Sequence, residues 1–402
     1  MGTHPVRASR RLVVTWLVDV ARHGRRRGPR GLMWAPAAAL VIGGLALACG
    51  PAGGDVTGGH GRGPAGAAPG ERAAPDGHGT SGGHGATGAP EPGWRLESFR
   101  DLVVEVPASW GPAPAPGGDW CATVEGRPQA FPDKPYVDSR GPYRVEMAIG
   151  CFSRTEEEPD LHGGGVPRDY WSPHVWFTAT PATGGGEEIP DGRVSSNGWT
   201  RLVRTVGAAK VLVLTDDAHL AEAERIIASA HQAEVDPHGC AASSPIQAGG
   251  FARPPAPFDV ARLDTVDTIA VCHYDLNSPV GSPGLLASRE LGGAAAAALL
   301  AAINAAPAGG GPDTPGTCAK HMSGNTGIVL RLTAGGSTHE AYVYFESCVG
   351  NGIDDGTTLR ALTAGNCAPL WSGRVVQSGG SAAPFRVCHP DGMPAVNPTK
   401  PS

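Results

Sequence analysis

A chain of 402 residues with 60 glycines, 38 prolines and a formal charge of −6 has room for two modest folded domains beside long irregular segments. Eight arginines and one aspartate lie before residue 49, so the rest of the chain, with only four lysines, is more acidic than the whole. Such a body offers no basic surface for nucleic acid and none for anionic lipid.

In chain order, the first element is an export signal. Arg22, Arg25, Arg26, Arg27 and Arg30 precede an apolar run over residues 32–48, and Ala46-Leu47-Ala48 stands directly before Cys49. A positive region, an apolar core and small residues before the cut are what an export peptide needs. A cysteine in the next place is the residue whose thiol takes a diacylglyceryl group in lipoproteins. Leu is usual three residues before that cysteine and Ala46 occupies the place, so plain secretion stays open. A retained anchor stays open too, although about 20 apolar residues are needed to span a bilayer and Pro36 and Gly43-Gly44 interrupt this run. The expectation is a signal peptide over 1–48 and an extracytoplasmic chain held to the cell membrane through lipid on Cys49.

Residues 49–93 hold that cysteine and a Gly/Ala/Pro/His-rich stretch without apolar periodicity. Such a stretch buries too little surface to offset its ordering entropy and reads as a disordered tether. His60, His78 and His84 within it read as solvated linker residues rather than metal ligands.

A first domain is expected over 94–240. Residues 102–106 (LVVEV) form a strand stopped by Pro107. Residues 143–149 alternate, with Tyr143, Val145, Met147 and Ile149 on one face. Residues 175–180, 199–206 and 210–214 add strands. A helix then opens at Thr215-Asp216-Asp217, whose oxygens suit an N-terminus, and carries Leu220, Ala223, Ile226, Ile227 and Ala230 along one face. Residues 241–257, with four prolines, read as a linker, and a second domain follows over 258–388. There 267–274 and 285–291 read as strands, and 293–306 as an Ala/Leu helix buried against the sheet. Residues 328–332 and 341–345 read as a hairpin across 334–337. Asp354-Asp355-Gly356 is expected to cap a helix running to about residue 364, and 389–402 to be a disordered tail. The fold class is α+β: two small domains, each a mostly antiparallel sheet with one or two packed helices.

Nine cysteines in an exported chain read as disulfides. With Cys49 lipidated, eight remain to pair, and the pairings expected are Cys121–Cys151 and Cys318–Cys348, each joining a loop to a strand end. No CxxC occurs, so a zinc site is not expected, and no cofactor is implied.

The order Val106-Pro107, Trp110, several strands, then a helix carrying Asp217, Ala221, Ile227 and Ser229 resembles small actinobacterial lipoprotein domains with a Mog1/PsbP-like α+β sandwich. The second half, with Cys272-His273-Tyr274, an Ala-rich helix, and Cys318 and Cys348 flanking a hairpin, resembles another module of uncharacterised secreted lipoproteins from actinobacteria. The resemblance implies a fold and a compartment and transfers no active site.

Catalytic motifs are missing. Gly281-Ser282-Pro283-Gly284 lacks the first glycine of a nucleophile elbow, and His339-Glu340 has no second histidine four residues on. The run Asn351–Gly356 has Ile353 at a ligand place of a calcium loop and reads as a helix cap. The acidic loop Glu156-Glu157-Glu158-Pro159-Asp160 with His162 reads as solvated. His273 and His321 read as structural, with a dispersed hydrolase site around them as the alternative. Tryptophan is the remaining signal: six fall in the first domain, and Trp110, Trp120 and Trp171 sit in Gly/Pro/Asp-rich loops. They are candidate contacts for a glycan or an envelope protein. The reading is a cell-envelope binding or assembly module, with an envelope hydrolase as the alternative.

Overall fold

Apolar residues at alternate positions decide most of the strands, because a strand turns successive side chains to opposite faces of its sheet. The computed structural model describes residues 90–118, 120–124, 127–139, 151, 161–162, 165–180, 189–316, 324–377 and 379–390. Cys49, the tether as far as residue 89, the 143–149 strand, the 156–160 acidic loop, Cys318, His321 and residues 391–402 lie outside them.

The first half opens with β1 (Trp94–Phe99) and β2 (Leu102–Pro107), an antiparallel hairpin. β3 (Gly111–Ala113), β4 (Thr123–Val124), β5 (Arg127–Pro128) and β6 (Tyr136–Asp138) are short. Longer strands follow: β7 (His174–Ala179), β8 (Gly192–Ser196), β9 (Trp199–Val206) and β10 (Ala209–Asp216). Six of these form one sheet in the order β3-β6-β7-β10-β9-β8, parallel only at β3–β6 and β6–β7. Helix α1 (Leu220–Ser229) starts after a short 3-10 turn, in which the Asp216 carboxylate accepts the His219 N–H. It buries Ala223 and Ile226, and β11 (His231–Gln232) then joins β2 in the small sheet β1-β2-β11. One core fills the space between: Leu102, Val104 and Val106 from β2, Val175 from β7, and Val211 and Val213 from β10.

The second half is one antiparallel sheet of β12 (Thr268–Asp275), β13 (Leu285–Gly292), β14 (Thr326–Ala334), β15 (Ser337–Tyr344), β16 (Gly352–Asp354) and β17 (Leu359–Arg360). Their order is β13-β12-β14-β15-β16-β17. The expected hairpin is present, with Ala334 opposite Ser337. Both faces of β12 are buried. Ile269 and Val271 join the core under helix α2 (Gly293–Ala305), while Ala270, Cys272 and Tyr274 join a second core under residues 240–251. Two short helices close the chain, α3 (Ala364–Cys367) and α4 (Ala382–Cys388).

Four expectations change. Helix α2 is half-exposed: Ala296, Leu299, Leu300 and Ile303 face the core at helical spacing, and Ala294, Ala295, Ala297, Ala298 and Ala301 face outward. Alanine favours the helix by propensity on either face, so its presence says little about burial. Asp354 and Asp355 make a tight turn between β16 and β17 rather than a helix cap. Asp355 accepts from the backbone of Thr357 and Thr358 and pairs with Arg360, and the helix starts at a Thr363–Asn366 capping box. Residues 241–257 are packed. Ser244 caps a 3-10 turn over Pro245–Ala248, Ile246 is fully buried, and Phe251 lies edge-on to Tyr344. His389, expected in the tail, stacks on Trp371 and bonds Gln377.

Disulfides Cys121–Cys151, Cys240–Cys272 and Cys367–Cys388 join the described residues, the first of them an expected pair. Cys348 is also disulfide-bonded. A closed loop of 32 residues, as at Cys240–Cys272, contributes roughly 3–4 kcal/mol in the chain-entropy picture. Among the described residues no helix is long and apolar enough to cross a membrane.

The two halves meet through the two-residue turn Arg100-Asp101 between β1 and β2. The Arg100 N–H donates to the Leu285 carbonyl, and its guanidinium bonds Ser278 Oγ at 3.0 Å, the Pro283 carbonyl and Asp275 at 3.4 Å. Arg374 adds a second tie, to the carbonyls of Ser98 and Leu286. Leu286 itself packs into the core of the first half. Arg100 and Asp275 are both buried, and removing one partner of such a pair leaves a charge in a medium that solvates it poorly. Arg100→Ala is therefore expected to destabilise the fold by about 3 kcal/mol. A urea melt with an unchanged midpoint would contradict this.

Candidate functional site

The two faces of the first six-stranded sheet differ in kind. Strand alternation sends Val175 and Phe177 of β7 toward the core and puts His174 and Trp176 on the opposite face. The register then places Tyr136 beside His174, with Leu214 and Arg201 on its other side. Trp199 opens β9 on this same face, and loop residues His162 and Trp171 pack over it.

The rings form one continuous series. Trp199 meets Trp171 edge-on at 5.5 Å and 89°, and Trp171 stacks with His162 at 6.0 Å. His162 lies 5.1 Å from His174, which stacks in turn on Tyr136 and Trp176 at 4.9 Å each. The three tryptophans are half-buried, whereas His162 and His174 are buried beneath them. Their orientation is fixed. Trp171 Nε1 donates to the Val166 carbonyl at 2.8 Å, and His174 Nδ1 lies 2.8 Å from the Ser172 carbonyl, so that nitrogen carries the proton. The Arg168 guanidinium lies 5.6 Å from the Trp171 ring centre. Half-exposed indoles with arginines alongside present broad apolar faces rimmed by hydrogen-bond donors, the combination that sugars and protein hot spots use.

The candidate tryptophans separate. Trp171 belongs to the series. Trp120 is half-buried and packs on Tyr170 at 5.4 Å, next to the Cys121–Cys151 disulfide. Trp110 is a correction: at 2% exposure it is a core residue, packed with β2 and α1 and 6.3 Å from the His219 ring, and cannot meet a ligand. Its loop composition suggested exposure, but the tight Pro107–Trp110 turn folds the ring back over the core. Trp176 and Trp199 fall within strands, and only the register of β7 and β9 places them on this face.

Of the histidine candidates, the described ones are His162, which joins the aromatic series, and His273, which stands on β12. Among the described residues no group of three or more His, Cys, Asp or Glu side chains is arranged to hold a metal. Asp354 and Asp355, from the run compared with a calcium loop, are engaged by Arg253 and Arg360, and Ile353 is buried in the core. His273 stands on β12 at 3% exposure near Phe345 and Trp371, its Nε2 without a partner. Burial, reinforced by Arg374 and opposed by Asp275, brings its pKa down to about 4.

That shift fixes a pH dependence. Between pH 6.5 and about 4 the unfolded chain binds a proton at this position and the folded chain does not, so stability falls as pH drops through that window. The loss at the acid end is roughly 3 kcal/mol. His273→Leu should remove this component from urea melts run across the window. An unchanged pH slope in the variant would contradict the assignment. No family model, curated protein or solved structure matches the chain.

Proposed function

We propose that the chain is a glycan-binding module of the cell envelope, exported, held to the outer face of the membrane through lipid on Cys49, and docking polysaccharide on the Trp199–Trp171–His162–His174–Trp176 series. The observation that carries the reading is the Trp171–Trp199 pair, two half-buried indoles at right angles, one opening β9 and the other on the loop packed over it. A right-angled pair offers one ring face for stacking on a sugar ring and one edge for its hydroxyl rim. An acidic chain with few lysines and an oxidising compartment implied by the disulfides agree with an extracytoplasmic role away from nucleic acid.

Soluble cell-wall polysaccharide should quench intrinsic tryptophan fluorescence in a saturable titration. Trp171→Ala combined with Trp199→Ala should weaken binding at least about tenfold, since stacked aromatics contribute on the order of 1–2 kcal/mol each. Trp120→Ala should leave it unchanged. A flat titration would overturn the glycan reading, and saturable capture of an envelope protein on the same two tryptophans would replace it with an assembly role. Independently, Cys49→Ser should release the protein from membranes into the soluble fraction, while undiminished retention would favour an uncleaved anchor. The alternative of an envelope hydrolase gains nothing from His273, which is sealed in the core.

A further inference from the structure

A serine, a histidine and an aspartate converge on the second half of the fold, at a place no sequence motif marks. Ser288 lies on β13, the edge strand of its sheet, opposite Cys272. Cys272 is disulfide-bonded to Cys240, which fastens the 236–240 turn to this edge of the sheet. Within the turn, Asp236 Oδ1 accepts the backbone N–H groups of His238 at 3.0 Å and Cys240 at 2.8 Å. The other oxygen, Oδ2, accepts the Ser288 hydroxyl, and His238 Nδ1 lies 2.9 Å from the same Ser288 Oγ. His238 Nδ1 is also 4.0 Å from Asp236 Oδ2. The aspartate side chain is 3% exposed and the histidine 31%, so a buried carboxylate backs a hydroxyl and an imidazole that reach the surface.

We propose that Ser288 is a nucleophile for acyl transfer from carboxylic esters, with His238 as its base and Asp236 as the group that holds and balances both. A nucleophile and a base within hydrogen-bond reach, positioned by a third group, define this chemistry irrespective of fold or chain order. Here the carboxylate grips the serine rather than the imidazole. His238 is oriented instead by its own backbone bond to Asp236 and by the disulfide-tied turn. For the first step the Ser288 hydroxyl turns its single proton from Asp236 Oδ2 to His238 Nδ1; Ser288 Oγ then bonds to the ester carbonyl carbon as that proton passes to Nδ1. The resulting imidazolium sits 4.0 Å from the Asp236 carboxylate, which offsets its charge. The tetrahedral species then expels the alcohol, whose oxygen takes the proton from Nδ1. Water attacks the acyl-serine, gives a proton to His238, and the carboxylic acid leaves as Oγ recovers that proton.

This site is separate from the aromatic series and stands or falls without it. The test treats the disulfide-intact protein at pH 8 with a biotinylated fluorophosphonate and maps the labelled peptide by mass spectrometry. The proposal expects modification of Ser288, none in Ser288→Ala, and labelling slowed about 100-fold or more in His238→Gln. His238 is half-exposed, so this variant should fold, and its melting temperature controls for that. Hydrolysis of p-nitrophenyl acetate by the wild-type protein should be measurable and be lost in Ser288→Ala. An unlabelled Ser288 in the folded wild-type protein would overturn the proposal, leaving the three residues as a brace for the turn. Equal labelling of wild type and His238→Gln would overturn the role of the histidine.

Discussion

The Arg100-Asp101 turn is the constraint on which the rest of the structure depends. It is a two-residue connection, joining Phe99 to Leu102, and it sends its two side chains in different directions. Arg100 sits at φ 55°, a backbone region disfavoured for a residue with a side chain, and is kept there by its bonds to Leu285, Ser278, Pro283 and Asp275. Asp101 turns the other way, accepting the Ala208 N–H and the Gln232 side chain. Gly207 lies against it so closely that a Cβ there would fall 2.1 Å from Asp101 Oδ2, and its φ of +55° also favours glycine. One tight turn thus ties the small sheet, the β9–β10 hairpin and the second half together. A buried ion pair of this kind adds less to net stability than apolar packing would, but it fixes which groups must meet.

From that joint the two candidate sites follow by ordinary strand geometry. The core between α1 and the six-stranded sheet takes alternate residues of these strands: Val175 and Phe177 of β7, Leu202 and Val206 of β9, and Val211 and Val213 of β10. Its alternates form the opposite face, which carries His174, Trp176, Trp199 and Arg201. In the second half β12 is buried on both faces, so polar groups collect at the sheet edge on β13. Ser288 is there, and the Cys240–Cys272 disulfide brings Asp236 and His238 to it. The chain has built a binding face and a reactive edge from different sheets.

The strands at 102–106, 199–206, 210–214, 328–332 and 341–345 were legible because one or both faces are buried and alternation or β-branched runs record it. The α+β class followed from them. Two elements were misread for a local reason. The Asp-Asp-Gly sequence at 354–356 satisfies a turn and a helix start with the same side-chain oxygens, and only the pairing of β16 with β17 decides between them. The alanines of α2 satisfy helix propensity on both faces, and only Leu299, Leu300 and Ile303 mark the buried one. Both sites were harder still. Trp171 was found through its loop, but its neighbours Trp199 and His174 are reached only through register. Asp236, His238 and Ser288 are separated by a strand and a linker-like segment, and no spacing rule connects them. Cysteine 272, opposite Ser288, was visible, but its partner was not, since pairing depends on the fold.

The central structural claim is that residues on either side of the 241–257 segment are welded through the Arg100 joint into one cooperative body. Differential scanning calorimetry of the Cys49→Ser protein tests it most directly. The account predicts a single unfolding transition whose calorimetric and van't Hoff enthalpies agree, moved as a whole to lower temperature by Arg100→Ala. Two resolved transitions in the parent protein, with Arg100→Ala shifting only one of them, would contradict it.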